Sequence, residues 1–266
     1  MKKMKRCYLK TIVILALISG CFTACIEDEE PSLESFNCII TTDTTHAALI
    51  FNTHTQYQTS ININWGDGKK DNLVIETFNS AGISHTYENA GKLTHTITVK
   101  GGKEVNILRC DNNKFTSLSV SGNLTDLNCD KNLLTTLDLS RLKLIRFLSL
   151  ESNQLSSLDL SKNPEITNLK VSNNQLSSLD LSNKTRLYIL DASNNQLTSL
   201  NISNTPTLES LTIENNMMDA QSLNELFNAL TDQSGSTQLN TIVLTGNPGA
   251  ATCDKSIATK KGWRIF

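Results

Sequence analysis

From Val105 to Asn247 the chain repeats one spacing of apolar and polar positions seven times. Each copy has an apolar residue, a Leu or Ile three positions later, a further apolar residue two positions on, and an Asn three positions after that. The repeated Asn residues are Asn113, Asn132, Asn153, Asn174, Asn195, Asn216 and Asn247. Because the two central apolar residues alternate with period two, each copy predicts a short strand with one buried face.

A coil of about 21 residues cannot bury its own apolar edge, so the copies predict a stack of coils that shares one core. The recurrent Asn stands where the chain must turn inside the stack. Its amide is predicted to bond backbone groups there and in the adjoining coil. A second set of apolar residues fills the other half of each coil, on its outer side. This set includes the repeated tripeptide Asp-Leu-Ser, which begins at Asp138, Asp159 and Asp180, and it predicts an extended rather than a helical conformation there.

This spacing resembles that of leucine-rich-repeat proteins. The resemblance implies that the strand residues beside the inward Leu point outward on a concave face, where a ligand would bind. Core positions are nearly identical from coil to coil while these outward positions vary, as a recognition surface requires. The candidate binding residues are Arg109, Phe147, Lys170, Tyr188, Ile189 and Asp191. Phe147, Tyr188 and Ile189 are the expected apolar anchors.

Between Phe36 and Gly101 the pattern changes to short alternating segments that are rich in Thr and Ile, which predicts strands. The predicted strands are Ile39 to Thr42, Ala47 to Asn52, Ser60 to Trp65 and Leu93 to Lys100. Trp65-Gly66-Asp67-Gly68 followed by His85-Thr86-Tyr87 resembles a PKD-type module. The resemblance implies an immunoglobulin-like β-sandwich over residues 36–101 that acts as a spacer or adhesive unit, with Trp65 and Tyr87 in its core.

The N-terminal segment has the pattern of a lipoprotein signal peptide over residues 1–24. A basic start is followed by an apolar run of about nine residues, which is too short to span a bilayer. Cys25 is the preferred lipidation site and Cys21 is the alternative, since both follow a sequence that resembles a lipobox. The acidic tether of residues 25–35 resembles a surface-export tag, and it also fits a solvated flexible linker. The expected location is the cell envelope, lipid-anchored in the outer membrane and exposed at the surface.

After Asn216 the repeat is interrupted by a segment whose apolar residues have helical spacing. Leu223, Leu226, Phe227 and Leu230 fall on one helical face, and Asp219 is a suitable N-cap. The solenoid is predicted over residues 102–249 and a C-terminal cap over residues 250–266. Within this cap, Cys253 to Lys261 is expected to be helical, and Trp263 to Phe266 are expected to seal the stack.

Charge and composition narrow the possible functions. The first 24 residues hold five of the 24 Lys and Arg residues and none of the 26 acids, so a processed chain is acidic and a nucleic-acid partner is not expected. The four histidines lie at His46, His54, His85 and His95, without the spacing of metal ligands. No cofactor is expected. Cys110 and Cys129 fall at equivalent inward positions of neighbouring coils, close enough for a disulfide. Parallel side chains in register suit disulfide geometry poorly, so buried free thiols are the preferred interpretation.

These observations predict a mainly β chain, in which a PKD-like sandwich precedes a leucine-rich-repeat solenoid with short helices near the C-terminus. The repeated region contains no His, and its recurrent Asp residues follow the repeat, so an enzyme is not expected. The predicted function is a non-enzymatic, adhesin-like surface lipoprotein that binds a protein or host-surface ligand. The alternatives are a glycan-binding accessory protein and a structural spacer. The membrane is expected to be contacted through the lipid anchor only.

Overall fold

The computed structural model describes residues 34–53, 55–88 and 93–266. The predicted signal peptide, both candidate lipidation cysteines and most of the acidic tether lie outside the described residues, as does His54. Among the described residues, no helix is both long and apolar enough to cross a membrane.

Six strands precede the repeats. They are β1 (Asn37–Thr42), β2 (His46–Asn52), β3 (Thr59–Asn64), β4 (Lys70–Ile75), β5 (Ser80–Thr86) and β6 (His95–Gly101). Four of them match the predicted strands to within two residues at each end. The sequence pattern did not indicate β4 and β5, because β4 buries only Ile75 and β5 has no fully buried residue.

The repeats form the predicted stack, with one short strand in each coil. These strands are β7 (Ile107–Arg109), β9 (Asp126–Asn128), β10 (Phe147–Ser149), β11 (Asn168–Lys170), β12 (Ile189–Asp191), β13 (Ser210–Thr212) and β14 (Asn240–Val243). Neighbouring strands are parallel and in register, so that Leu148 stands opposite Leu127 on one side and Leu169 on the other. All three leucines are buried. The predictions of a mainly β chain and of a repeat solenoid are confirmed.

The N-terminal strands and the coils share their sheets. In the outer half of the first coil lies β8 (Ser117–Ser121), which pairs antiparallel with β1, while β2 pairs antiparallel with β7. The result is a five-stranded sheet of order β4-β3-β6-β1-β8 and a ten-stranded sheet that runs from β5 through β2 and all the coils. Because an unpaired end strand is open to association, the pairing of β2 with β7 protects the first coil.

The two sheets enclose an N-terminal core that is continuous with the core of the coils. Phe36 and Phe51 meet edge to face with their ring centres 5.9 Å apart. Trp65 and Tyr87 are buried as predicted, and the Tyr87 hydroxyl donates a hydrogen bond to the Trp65 carbonyl at 2.9 Å. At the turn that follows, Gly66 has φ +85°, and a Cβ there would lie 2.6 Å from the Thr96 carbonyl oxygen. This position therefore requires glycine.

The recurrent Asn side chains bond the turns of neighbouring coils to each other. Asn174 Oδ1 accepts from the Leu155 N–H of the preceding coil at 3.0 Å. Its Nδ2 donates to the carbonyl oxygen of Leu150 in that coil at 2.9 Å and to the carbonyl oxygen of Val171 in its own coil at 3.1 Å. Equivalent bonds to the N–H of the preceding coil recur at Asn132, Asn153, Asn195, Asn216 and Asn247. The structural role predicted for these residues is confirmed.

The sharp turn itself is made by the residue before each of these Asn residues. That residue has a positive φ in every coil, and the series reads Asn112, Lys131, Ser152, Asn173, Asn194, Asn215 and Gly246. Asn is favoured in this left-handed conformation because its short side chain costs little there. In the last coil this residue is Gly246, and a Cβ there would require the Asn215 side chain to move.

The predicted helix after Asn216 is present as α1 (Ala220–Ala229), with Asp219 Oδ1 accepting from the Ser222 N–H at 2.8 Å. The second helix, α2 (Ser256–Lys260), is shorter than predicted. After α2 the chain forms a last strand, β15 (Trp263–Ile265), which pairs in parallel with β14. Trp263 is buried and helps to close the stack, but Phe266 is 61% exposed, so the prediction that it seals the core is wrong.

We expect Asn174→Ala to lower the free energy of unfolding by about 2–3 kcal/mol, because it leaves buried donors and acceptors of two coils unpaired. The corresponding fall in Tm is about 5–10 °C for a chain of this size. Gln175→Ala is the matched control, since Gln175 is exposed and its side chain has no hydrogen bond among the described residues. Thermal unfolding followed by circular dichroism measures both. Equal melting temperatures for the two variants would contradict the structural role of the Asn side chain.

Candidate binding surface

The outward face of the parallel strands carries the residues that differ between coils, and we call it the concave face. Its side chains form three columns across the strands. The first column runs Ile107, Asp126, Phe147, Asn168, Ile189, Ser210 and Thr241. The second column runs Arg109, Asn128, Ser149, Lys170, Asp191, Thr212 and Val243. The third column, two residues further along each coil, begins with Asp111, Asp130 and Glu151.

Three of the predicted binding residues are brought together at one pocket on this face. The pocket has a volume of about 410 Å³, and Arg109, Phe147 and Lys170 contribute to its wall. Phe147 is 48% exposed although it is a large aromatic residue, and polar side chains such as Asn128, Ser149 and Asn168 surround it. An exposed ring bordered by hydrogen-bonding groups and both signs of charge is suited to non-covalent recognition.

The other three predicted residues lie on the next coil, outside this pocket. Ile189 stands beside Asn168, and Asp191 stands beside Lys170 in the strand register. Tyr188 directly precedes that strand and belongs to none of the three columns. It is 42% exposed, and a hydrogen bond with Glu209 raises the pKa of its hydroxyl. Asp191 Oδ1 already accepts from the Ser193 N–H and hydroxyl, at 3.0 and 2.7 Å. Asp191 therefore supports its own turn as well as facing outward.

Asp130 is a pocket residue that the sequence analysis did not single out. Its Oδ1 accepts from the Ser149 hydroxyl and from the Glu151 N–H, both at 2.8 Å. Burial raises the pKa of Asp130; these hydrogen bonds oppose the effect, and the charges of Glu151 and Asp111 add to it. Continuing the strand alternation by two residues beyond the second column would have indicated this acidic column.

The concave face also continues onto β2. Ile50 is 43% exposed and stands directly opposite Arg109 on one side and Gly82 of β5 on the other. Residues directly opposite in neighbouring strands share a face, so Ile50 extends the second column beyond the first coil. No local sequence pattern indicates that Ile50 lies on the concave face, because its position depends on the pairing of β2 with β7, which are more than 50 residues apart in the sequence. By contrast, Ile107 in the first column is only 7% exposed.

The recurrent acids on the outer side, which were predicted to be structural, stabilise turns. Asp138, Asp159 and Asp180 each accept a hydrogen bond from the backbone N–H two residues later, at 2.9, 2.8 and 2.9 Å. These bonds favour the ionised carboxylate and hold the pKa of each group below its usual value. Because the three Asp residues make the same hydrogen bond in equivalent turns, a structural role explains their recurrence.

The histidines described in the structure are engaged in packing and pairing. His85 Nε2 lies 2.8 Å from Asp67 Oδ2, and its ring stacks on Trp65 with the ring centres 4.9 Å apart. Asp67 Oδ1 also accepts from the Lys69 N–H at 3.0 Å and thereby stabilises the predicted turn. Within the described ranges, no group of three or more His, Cys, Asp or Glu residues could hold a metal ion.

Two cysteines meet in the core between the first two coils. The sulfur atoms of Cys110 and Cys129 lie 3.1 Å apart as free thiols, and both residues are buried. Burial raises the pKa of the Cys129 thiol, and the hydrogen bond with Cys110 raises it further. Cys129 therefore contributes to the apolar core as a neutral thiol, and Cys110 packs beside it.

The chain is similar to two solved leucine-rich-repeat structures. One is YopM, a leucine-rich effector protein from Yersinia pestis, with 29% sequence identity and a TM-score of 0.41 over 53% of this chain and 37% of that chain. The other is the functional domain of InlJ from Listeria monocytogenes, which includes a cysteine ladder, with 21% identity and a TM-score of 0.30 over 65% of this chain and 50% of that chain. The chain thus covers half or less of each. No protein-family model and no curated protein matches it.

We expect Asp130→Asn to stabilise the protein at pH 7. The raised pKa means that the folded state binds the proton more tightly than the unfolded state, so the ionised carboxylate destabilises the fold. That penalty disappears as the pH falls through the folded pKa to below the unfolded value of about 3.9. The amide of the substituted side chain would keep the accepting oxygen. Because the group is partly exposed and screened, the expected rise in Tm is about 1–2 °C at pH 7 and none at pH 3.

Asp159→Asn is the control for this measurement, since the same change there removes a charge that the turn stabilises. We expect no gain in Tm from it at pH 7. A difference between Asp130→Asn and the parent that is constant from pH 3 to pH 7 would show that ionisation of Asp130 is not the cause.

Proposed function

We propose that the chain is a non-enzymatic, cell-surface lipoprotein whose leucine-rich-repeat solenoid binds a protein ligand on the concave face. One observation supports this most directly. The buried Leu positions and the ladder of Asn side chains are the same from coil to coil, whereas the outward columns differ, and an exposed aromatic residue borders a pocket among them. A solenoid that acted only as a spacer would have no need of such a pocket.

Within this proposal, the N-terminal strands form a PKD-like sandwich that supports the solenoid and continues its outward face. Ile50 on β2 would then be a peripheral contact of the same surface. The expected anchors are Phe147 and Tyr188, because large, half-exposed aromatic residues contribute most of the binding energy at many protein interfaces. Arg109, Lys170 and Asp191 would set the orientation of the ligand through charge.

We expect the protein produced from residue 26 onward to bind a protein in a panel of purified extracellular host proteins with a saturable signal. Residues 33–266 form one compact unit, so this form retains the solenoid. Phe147→Ala combined with Tyr188→Ala should raise the Kd at least about tenfold. Surface plasmon resonance measures the affinities, and a glycan array run in parallel tests the alternative ligand class.

Tyr57→Ala is the matched control, because Tyr57 is 60% exposed but lies outside the concave face. We expect it to leave the Kd unchanged. A protein ligand whose affinity is the same for the parent and the double variant would refute the assignment to the concave face. Binding to glycans alone would favour carbohydrate capture instead, and silence in both assays would favour a spacer.

The lipid anchor has its own test. We expect the N-terminal peptide of the mature protein, isolated from bacterial membranes, to begin at Cys25 and to carry acyl chains. More than one chain would provide durable attachment, because each buried methylene contributes about 0.8 kcal/mol. Mass spectrometry of that peptide distinguishes Cys25 from Cys21. An unmodified N-terminus would rule out the lipoprotein assignment while leaving the binding proposal intact.

A further inference from the structure

The four sheet edges within the described residues differ in how they are protected. Natural proteins protect an edge strand by making it short, by placing charges or Pro on it, or by covering it. The edge β4 carries Lys70 and Asp71, and β15 has only three residues, one of them Arg264. The edge β8 makes a further bridge to Asp138 of the next coil. Each of these edges therefore has a device against association.

The fourth edge, β5, has none of these devices. It is seven residues long and contains no Lys, Arg, Asp, Glu or Pro. It pairs with β2 on one side; β4 of the other sheet approaches it, but no described strand forms a ladder with its second edge. Ser80, Gly82, Ser84 and Thr86 are all exposed, so no described residues cover this face of the strand.

The hydrogen-bond pattern identifies which backbone groups of β5 face outward. The Tyr87 N–H donates to the Thr45 carbonyl, and the Thr53 N–H donates to the Asn79 carbonyl, at the two ends of the β2–β5 pair. Because hydrogen-bonded and non-hydrogen-bonded pairs alternate, the odd-numbered residues of β5 bond to β2. The even-numbered residues direct their N–H and C=O groups to the open edge. Within the described ranges, Gly82, Ser84 and Thr86 have no backbone partner there.

We propose that β5 is a dimerisation edge, on which a second copy of this chain pairs antiparallel with the first. A twofold axis at Ile83 would place Gly82 opposite Ser84 of the second copy and Ser80 opposite Thr86. All four positions in this register direct their backbone groups to the edge, where the Ser80 N–H already donates to Asn79 Oδ1 at 2.8 Å. The central pairs of Gly82 with Ser84 therefore make the strand complementary to itself. The facing side chains are small or hydroxylic, and none of them carries a charge that would repel its mate.

The second copy is favoured over an unrelated strand because the outward backbone groups of β5 pair symmetrically about Ile83. The pairing would join two ten-stranded sheets into one, with both concave faces on the same side. A single pair of seven-residue strands buries less than the roughly 1,200 Å² of a standard stable interface. The dimer is therefore reversible, with a Kd of about micromolar order.

The first test is sedimentation velocity of the purified protein between about 1 µM and about 1 mM. We expect a concentration-dependent monomer–dimer equilibrium. Ser84→Pro should raise the dimer Kd at least about tenfold, because it removes an outward N–H without touching the bonds to β2. Ser84→Lys should have a similar effect by placing two ammonium groups near the axis. Asn72→Lys on the edge β4 is the control and should leave the Kd unchanged.

Two further readouts separate pairing at β5 from a general loss of folding. Mixing the Ser84→Lys and Ser84→Glu proteins should restore the dimer, since opposite charges then face each other across the axis. In the parent protein, the amide hydrogens of Gly82, Ser84 and Thr86 should exchange more slowly at high concentration when followed by NMR. Those of Ala81, Ile83 and His85, which bond to β2, should exchange equally slowly at all concentrations.

A monomer at every concentration would overturn the proposal. So would a dimer that persists in both Ser84 variants, because it would use another surface. None of these outcomes depends on whether the concave face binds a ligand.

Discussion

The turn after each strand must bury its backbone groups inside the stack, and the rest of the solenoid depends on how these groups are satisfied. Each Asn amide supplies an acceptor for one N–H and donors for carbonyl groups of two successive coils. An Asp side chain has no donor when it is ionised, and a Leu side chain has neither group, so the chemistry of the turn leaves little choice. The cost of leaving such groups unpaired in the core fixes both the Asn and the left-handed residue before it. Residues in the outward columns do not have to satisfy buried backbone groups, so their identity can vary from coil to coil.

A second constraint acts at the ends of the stack, where a parallel sheet would otherwise expose an unpaired strand. At the N-terminal end, β2 takes the place of a preceding coil and pairs with β7, while Asn113 bonds the N–H and C=O of Ala48 at 2.7 and 2.9 Å. The first Asn of the series therefore bonds strand β2 in the way that the later Asn residues bond the preceding coil. At the C-terminal end, β15 adds a final short strand, and Lys261 donates to the carbonyls of Asn228 and Leu230 at 2.7 Å. Each end is closed by different elements that satisfy the same requirement.

The sequence predicted those features that depend on local spacing. The strand of each coil, the Asn turns, the Asp219 cap and the buried Trp65 follow from periodicity and side-chain chemistry, and the structure has all of them. Features that depend on pairing between distant residues were not predictable in this way. β5 has no buried residue to mark it, the second half of the first coil gives no sign that it pairs with β1, and Ile50 joins the concave face only through that long-range pairing. In the candidate site, the strand register was sufficient to predict that Arg109, Phe147 and Lys170 lie close together. The position of Asp130 was not predicted, because it depends on the path of the chain after the strand ends.

The pairing of β1 with β8 and of β2 with β7 has a consequence for how the chain can fold during synthesis. Strands β1 to β6 are complete once Gly101 has left the ribosome, yet two of them still lack a neighbour. Those neighbours become available only with the first coil, up to Ser121. A nascent chain between these two lengths exposes unpaired backbone on both sheets, which is a state prone to misassociation. The first coil therefore completes both N-terminal sheets, and a truncation designed by sequence resemblance at Gly101 would leave both sheets unfinished.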